Sequence, residues 1–148
     1  MISSNCRSSS ILKIGIPVAA VVLCASLIRA EPSETPAARA NALLERDVVG
    51  MPGMQITMST VEYPAGASSA PHRHDAQVFV YVLEGHVIMQ VKGGPQMKLG
   101  PGETFYESTD DIHSVSANAS KTEPAKFLVF MLKDKNAKTR PVAPEDAR

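Results

Sequence analysis

From residue 54 onward, apolar and polar positions exchange with a period near two. Met54, Ile56 and Met58 fall on one side of the segment Met54–Tyr63, and Gln55, Thr57 and Ser59 on the other. That is the pattern of a half-buried strand. Val78–Leu83 is an unbroken β-branched and aromatic run. After Gly85 the chain resumes over His86–Lys92 with Val87, Met89 and Val91 on one face. Gln96–Leu99, Thr104–Tyr106, Ile112–Val115 and Lys126–Leu132 are further strand signals. Turn residues separate them at Pro64/Gly66, Gly85, Gly93/Gly94, Gly100/Pro101/Gly102 and Asp110/Asp111. About eight short strands at this spacing predict an all-β barrel or sandwich. No stretch of helical period interrupts them. Asn41–Arg46 reads either as a short helix or as a first edge strand.

The amino-terminal pattern is different. Ile14–Ile28 is almost wholly apolar and follows Arg7 and Lys13. A basic start and a short apolar run describe a secretory signal, and the run is short for a bilayer span. An uncleaved membrane anchor is the alternative. The chain therefore divides into a signal or anchor over 1–30, a Pro- and Ala-containing linker over 31–42, a folded barrel over 43–133 and a loose charged tail over 134–148. Cys6 and Cys24 are the only cysteines. An exported chain would carry no thiol, which excludes disulfides, thiolate metal sites and cysteine nucleophiles from the folded part.

Composition narrows the function. Fifteen Lys and Arg balance fifteen Asp and Glu, so the basic excess of a nucleic-acid binder is missing. Past residue 30 the balance turns slightly acidic, with 12 basic and 15 acidic residues. A small molecule is the expected partner, no nucleic acid is, and the membrane enters only through an uncleaved amino-terminal segment. Aromatic residues are 5% of the chain and Trp is absent, so aliphatic side chains must build the core.

The candidate chemistry lies in the histidines. His72 and His74 are two residues apart, and in a strand such side chains share a face. Two imidazoles on one face can hold one metal ion. His113 follows the next turn signals, and in a closed barrel it can come round to face the pair. His86 begins a hairpin strand and reads as a surface residue. A lone His-x-His pair is often structural or exposed, so its context matters.

The stretch Gly66-Ala67-Ser68-Ser69-Ala70-Pro71-His72-Arg73-His74, followed by Val78–Gly85, resembles the first motif of the cupin superfamily. That motif is Gly, five residues, His-x-His, three or four residues, Glu, six residues, Gly. Gly66, His72, His74 and Gly85 match it. Gly102 and His113 match the second motif. The resemblance covers roughly residues 54 to 132 and is to the small single-domain, conserved-barrel members. It implies a double-stranded β-helix (jelly-roll) barrel with a divalent transition metal (Fe, Mn, Zn, Ni or Cu) at its mouth.

Several positions depart from the motifs. Val78 stands where the family has its glutamate. Gln77, beside it, points away from the histidine face unless a bulge at Asp75-Ala76 turns it in, and it is then a candidate fourth ligand. In the second motif Ser108 replaces Pro, Asp110 replaces Gly, and Asn118 sits one residue late, with Ala117 at the family position. Glu107 can also restore a carboxylate, as ligand or as catalytic base, although a solvated rim charge is the commoner fate of such a residue. By alternation Tyr106 is then expected in the core. Asn118-Ala119-Ser120 also fits a glycosylation pattern.

Three histidines and one further ligand leave coordination positions open, as catalysis requires and a closed structural zinc site does not. A neutral three-histidine set keeps the ion's full charge and favours anionic ligands. The expected function is an exported, metal-binding cupin acting on a small organic molecule, with oxygenase-like or isomerase-like chemistry implied by the resemblance. A non-catalytic binding or sensor module is the alternative, and a metal-free structural barrel is a third reading. A homodimer through a sheet edge is compatible with such a barrel.

Overall fold

The computed structural model describes residues 37–143 and 146. The signal or anchor reading and residues 31–36 of the linker lie outside the described residues. Every regular element among those described is a strand: β1 (Arg39–Asp47), β2 (Met54–Tyr63), β3 (Ser68–Ser69), β4 (His72–His74), β5 (Ala76–Glu84), β6 (Val87–Val91), β7 (Met97–Leu99), β8 (Thr104–Glu107), β9 (His113–Asn118), β10 (Ala125–Asp134) and β11 (Thr139–Pro141). All pairings are antiparallel. One sheet has the order β1-β2-β10-β5-β8. The other has the order β11-β4-β9-β6-β7, with β3 also on β9. The all-β expectation holds.

Strand pairing extends beyond the expected barrel limits of 43–133. Residues 39–42, read as linker, begin β1, and the Asn41–Arg46 segment is an edge strand rather than a helix. The tail is not loose throughout: Thr139–Pro141 pairs with β4, matching Thr139 to His74 and Pro141 to His72.

The core lies between the two sheets. On β5 the alternation is strict, with Ala76, Val78, Val80 and Val82 buried and Phe79, Tyr81 and Leu83 exposed. The facing sheet contributes Val87, Met89 and Leu99, and β10 contributes Phe127 and Val129. Each such valine stabilises the fold by about 2 kcal/mol when fully buried. On β2 the inward side is the one that begins with polar residues: Gln55 is buried, and Ser59, Val61 and Tyr63 line an interior cavity. The outer face is apolar as well. Phe79 packs against Tyr106 and Phe130, with ring centres 5.1 and 5.9 Å apart.

Gly66 and Gly85, the two glycines of the first motif, both adopt left-handed backbone (φ 73° and 67°). Their surroundings differ. A Cβ on Gly66 meets nothing within 4 Å, whereas one on Gly85 lands on the Pro124 carbonyl oxygen and 2.9 Å from Ala125 Cα. Gly85→Ala should therefore cost about 3 kcal/mol, combining backbone strain with a clash against main chain that cannot rotate away. Gly66→Ala should cost only the left-handed penalty of about 1 kcal/mol. Urea denaturation of the two variants measures this, and equal losses would refute the steric account.

Candidate metal centre

β4 and β9 lie side by side, with His72 opposite His113. The ring centres of His72 and His113 are 5.1 Å apart, and those of His72 and His74 are 4.8 Å apart. Imidazoles that share an ion bind it at about 2.1 Å, which puts ring centres about 3.2 Å from it and about 4.5–5.3 Å from one another at ligand angles of about 90–110°. Both observed spacings fall in that interval. The pairing expected from the His-x-His spacing and the distant third histidine is therefore present in space.

Each ring is tied back through Nδ1 to a different part of the chain. His72 Nδ1 lies 2.8 Å from the Ala70 carbonyl oxygen, and His74 Nδ1 lies 2.9 Å from the Thr139 hydroxyl on β11. His113 Nδ1 lies 3.0 Å from Glu107 Oε1. With Nδ1–H donating in all three, the Nε2 lone pairs are left for a ligand, the arrangement in which outer partners orient metal-binding histidines. His113 is held further by Phe105, whose ring stacks on it at 5.5 Å and 29°. Burial pushes the His74 imidazole down to about 4, against the pull of the Glu107 carboxylate and with His72 and His113 adding to the depression. His74 is thus neutral near pH 7, the state a ligand must have.

Two residues exchange the places expected of them. Glu107 is not a solvated rim charge. It is 2% exposed, while Tyr106, expected in the core, is 49% exposed on the outer face. Strand register gives the reason. Glu107 pairs with Val78 and Tyr106 with Phe79, and directly opposed residues share a face. Glu107 thus stands on the inner face, across from the position where the family motif would place its own glutamate. Gln77, the other candidate fourth ligand, is exposed. The register from Val78 through Gln77 to Ala76 against β10 runs without a shift, so no bulge turns it inward.

The bulge lies elsewhere. Between Gln90 and Val91 the β6–β9 register skips one residue, Ser114, whose hydroxyl donates to the Gln90 carbonyl at 3.1 Å. One extra residue reverses the parity of the strand, so His113, Ser116 and Asn118 all point inward and are buried. This explains why Asn118 falls one residue late. Its Nδ2 donates to the carbonyls of Tyr63, Pro64 and Glu123, and its Oδ1 accepts from Ser120 N–H. That leaves the Asn118 side chain engaged inside the fold and poorly placed for glycosylation.

Together these groups line a cavity of about 270 Å³ between the sheets, with Tyr63, Ser69, Ser116, Val80, Met89 and Val129 among its other walls. Glu107 Oε2 and His113 Nε2 are both buried and lack a hydrogen-bond partner. Groups of that kind are costly unless something else satisfies them. Among the described residues, no group of three or more His, Cys, Asp or Glu side chains stands as placed in an arrangement that holds an ion. The donor chemistry, three imidazoles beside a buried carboxylate with unpartnered Glu107 Oε2 and His113 Nε2, fits a divalent transition metal. Thr139 and the Ser114 bulge were absent from the sequence reading. Thr139 lies in a charged tail, and a bulge leaves no compositional mark.

Comparison with known proteins agrees with the fold. The Cupin domain family (Cupin_2) matches residues 59–131. A conserved protein with a double-stranded beta-helix domain from Klebsiella pneumoniae subsp. pneumoniae MGH 78578 is 19% identical with a TM-score of 0.58, over 76% of this chain and 90% of that one. Oxalate oxidase in complex with the substrate analogue glycolate is 24% identical with a TM-score of 0.57, over 78% of this chain and 61% of that one. The DMSP lyase DddQ from Ruegeria pomeroyi DSS-3 is 24% identical with a TM-score of 0.54, over 61% of this chain and 44% of the lyase. At these identities the likenesses show the fold alone, and the chain spans less than two thirds of either enzyme. No curated protein matches the sequence. The chain belongs to the cupin superfamily.

A buried imidazole–carboxylate pair seldom stabilises a fold as well as apolar residues would. The metal-free double variant Glu107→Leu/His113→Leu should therefore be more stable than wild type by about 1–3 kcal/mol. Glu107→Leu alone, which strands the His113 N–H, should be less stable than the double variant by about 2 kcal/mol. Urea denaturation in chelator reads both. A double variant less stable than wild type would mean that the pair is kept for folding.

Proposed function

We propose that this protein is a metal-dependent cupin that holds one divalent transition metal through His72, His74 and His113 and acts on a small organic molecule in the cavity beside it. The observation that carries this reading is the clustering of the three imidazoles: the His72 ring lies about one ion's ligand spacing from both His74 and His113, and each Nδ1 is engaged by a separate anchor. A bound ion would supply Lewis-acid or redox chemistry at its open positions.

The chain's own residues do the rest. Glu107 orients His113 through Oε1 and offers Oε2 as an acceptor for a proton from the bound molecule. Phe105 keeps the His113 ring from turning. Val78, Val80 and Met89 keep water away from the donors, which strengthens every charge interaction there. The similarity to an oxalate oxidase that binds glycolate supports a small carboxylate-bearing ligand. Whether the chemistry is oxygenase-like or isomerase-like rests on the superfamily. A second reading, a non-catalytic binding or sensor module, is favoured by one observation: the described cavity wall carries no titratable group besides the three histidines, Glu107 and Tyr63. Export is part of the proposal, supported by the apolar run Ile14–Ile28 behind Arg7 and Lys13 and by the lack of cysteine after Cys24.

Elemental analysis of the purified protein should find close to one transition-metal ion per chain. His72→Ala, His74→Ala and His113→Ala should each lose nearly all of it. Full metal in His113→Ala would refute the site. Thr139→Val, which frees His74 Nδ1, should weaken metal affinity about tenfold in a chelator competition while leaving the fold intact. Turnover in a screen of small carboxylates under dioxygen separates enzyme from binding module.

A further inference from the structure

The cavity has a second polar end. β3 and β4 run along β9 as one ladder, with Ser69 opposite Ser116 and His72 opposite His113. The serine rung and the histidine rung are three residues apart on each side, about 10 Å along the strands. Tyr63, from the facing sheet, reaches the serine rung: its hydroxyl lies 2.6 Å from Ser69 Oγ and 2.7 Å from Ser116 Oγ. All three residues line the same cavity as the histidines.

A proton count shows what this cluster has to offer. Three hydroxyls carry three protons. Two hydrogen bonds join them, and none of the three oxygens has another hydrogen-bond partner among the described side chains. One O–H is therefore left over, whichever way the cluster is polarised, and the cavity is its outlet. No Lys or Arg lines that cavity. A carboxylate at the serine rung would be buried without a counter-charge, at heavy cost. A neutral carbonyl oxygen matches one hydroxyl donor. Elsewhere the walls are mainly apolar, from Val80, Met89 and Val129, with Ser59, opposite Val129, the one further hydroxyl. The 270 Å³ of space holds about nine waters, and so a molecule of similar heavy-atom count.

We infer that the cavity is a two-point receptor for a short monocarboxylate with a neutral carbonyl at its far end, its anionic end at the histidine rung and its carbonyl at the Tyr63–Ser69–Ser116 cluster. This rests on the metal-centre reading above, because the ion supplies the positive charge at the first end.

The test titrates metal-reconstituted protein calorimetrically with pentanoate, 4-oxopentanoate and pentanedioate. 4-Oxopentanoate should bind at least about tenfold tighter than either of the others, because a site built to hydrogen-bond a group rejects analogues that lack it or bring an unpaired charge. In Tyr63→Phe/Ser69→Ala/Ser116→Ala the advantage of the ketone over pentanoate should fall below about twofold, because the hydroxyl that favours the one and opposes the alkyl end of the other is gone. Infrared difference spectra of the wild type, which need no variant to fold, should show the bound ketone stretch shifted to lower frequency. Equal affinities, tightest binding of pentanedioate, or an unshifted ketone stretch would each overturn the inference. Metal uptake is measured on the same sample. No uptake would sink the metal-centre reading and this inference with it, whereas uptake without preference for the ketone sinks only this inference.

Discussion

The site depends on one register. His72 stands opposite His113 because β4 and β9 pair at that residue, and a slip of one position would turn every inward side chain of β9 to the other face. Three residues along, the same ladder sets Ser69 opposite Ser116. The Ser114 bulge keeps both rungs facing inward on β9, and its hydroxyl bond to the Gln90 carbonyl partly offsets the ladder bond lost there. Asn118 then ties the end of β9 to three carbonyls on neighbouring segments. The placing of the histidines and the strand alignment are one property of this fold.

The polar groups inside the barrel run against what stability alone would choose. Glu107 and His113 are almost wholly buried, and each keeps an atom without a partner. A fold optimised for packing would fill those places with aliphatic residues. Buried titratable groups converging on a cavity are a mark of function, and here they sit at one end of a space whose other end carries three hydroxyls. The rest of the wall is mainly apolar, so most of the polarity is gathered at two poles.

The carboxylate illustrates how an inward-facing acidic group survives a changed motif. Val78 removes the family's glutamate from β5, yet Glu107 on β8 is its directly paired neighbour. Opposed residues in an antiparallel pair have Cβ atoms about 5 Å apart, so a carboxylate on either strand reaches nearly the same volume. Motif position and spatial position are therefore interchangeable across a ladder, which a linear pattern does not express.

Much of this was legible in the linear order of residues. Period-two alternation located β2 and β6, an unbroken β-branched and aromatic run located β5, and turn residues separated them, because strand geometry and strand preference act locally. The His72–His74 pairing was legible for the same reason, and the spacing of His113 pointed to its meeting with them. What only the tertiary structure decided was parity and pairing. Whether Glu107 or Tyr106 faces inward, whether Gln77 turns toward the histidines, and whether Thr139 joins the sheet beside His74 all depend on which strand lies alongside. Alternation along a chain specifies two faces but not which one is inside. That choice is made by hydrogen bonds between segments far apart in sequence, and by a single extra residue at Ser114 that no local preference announces.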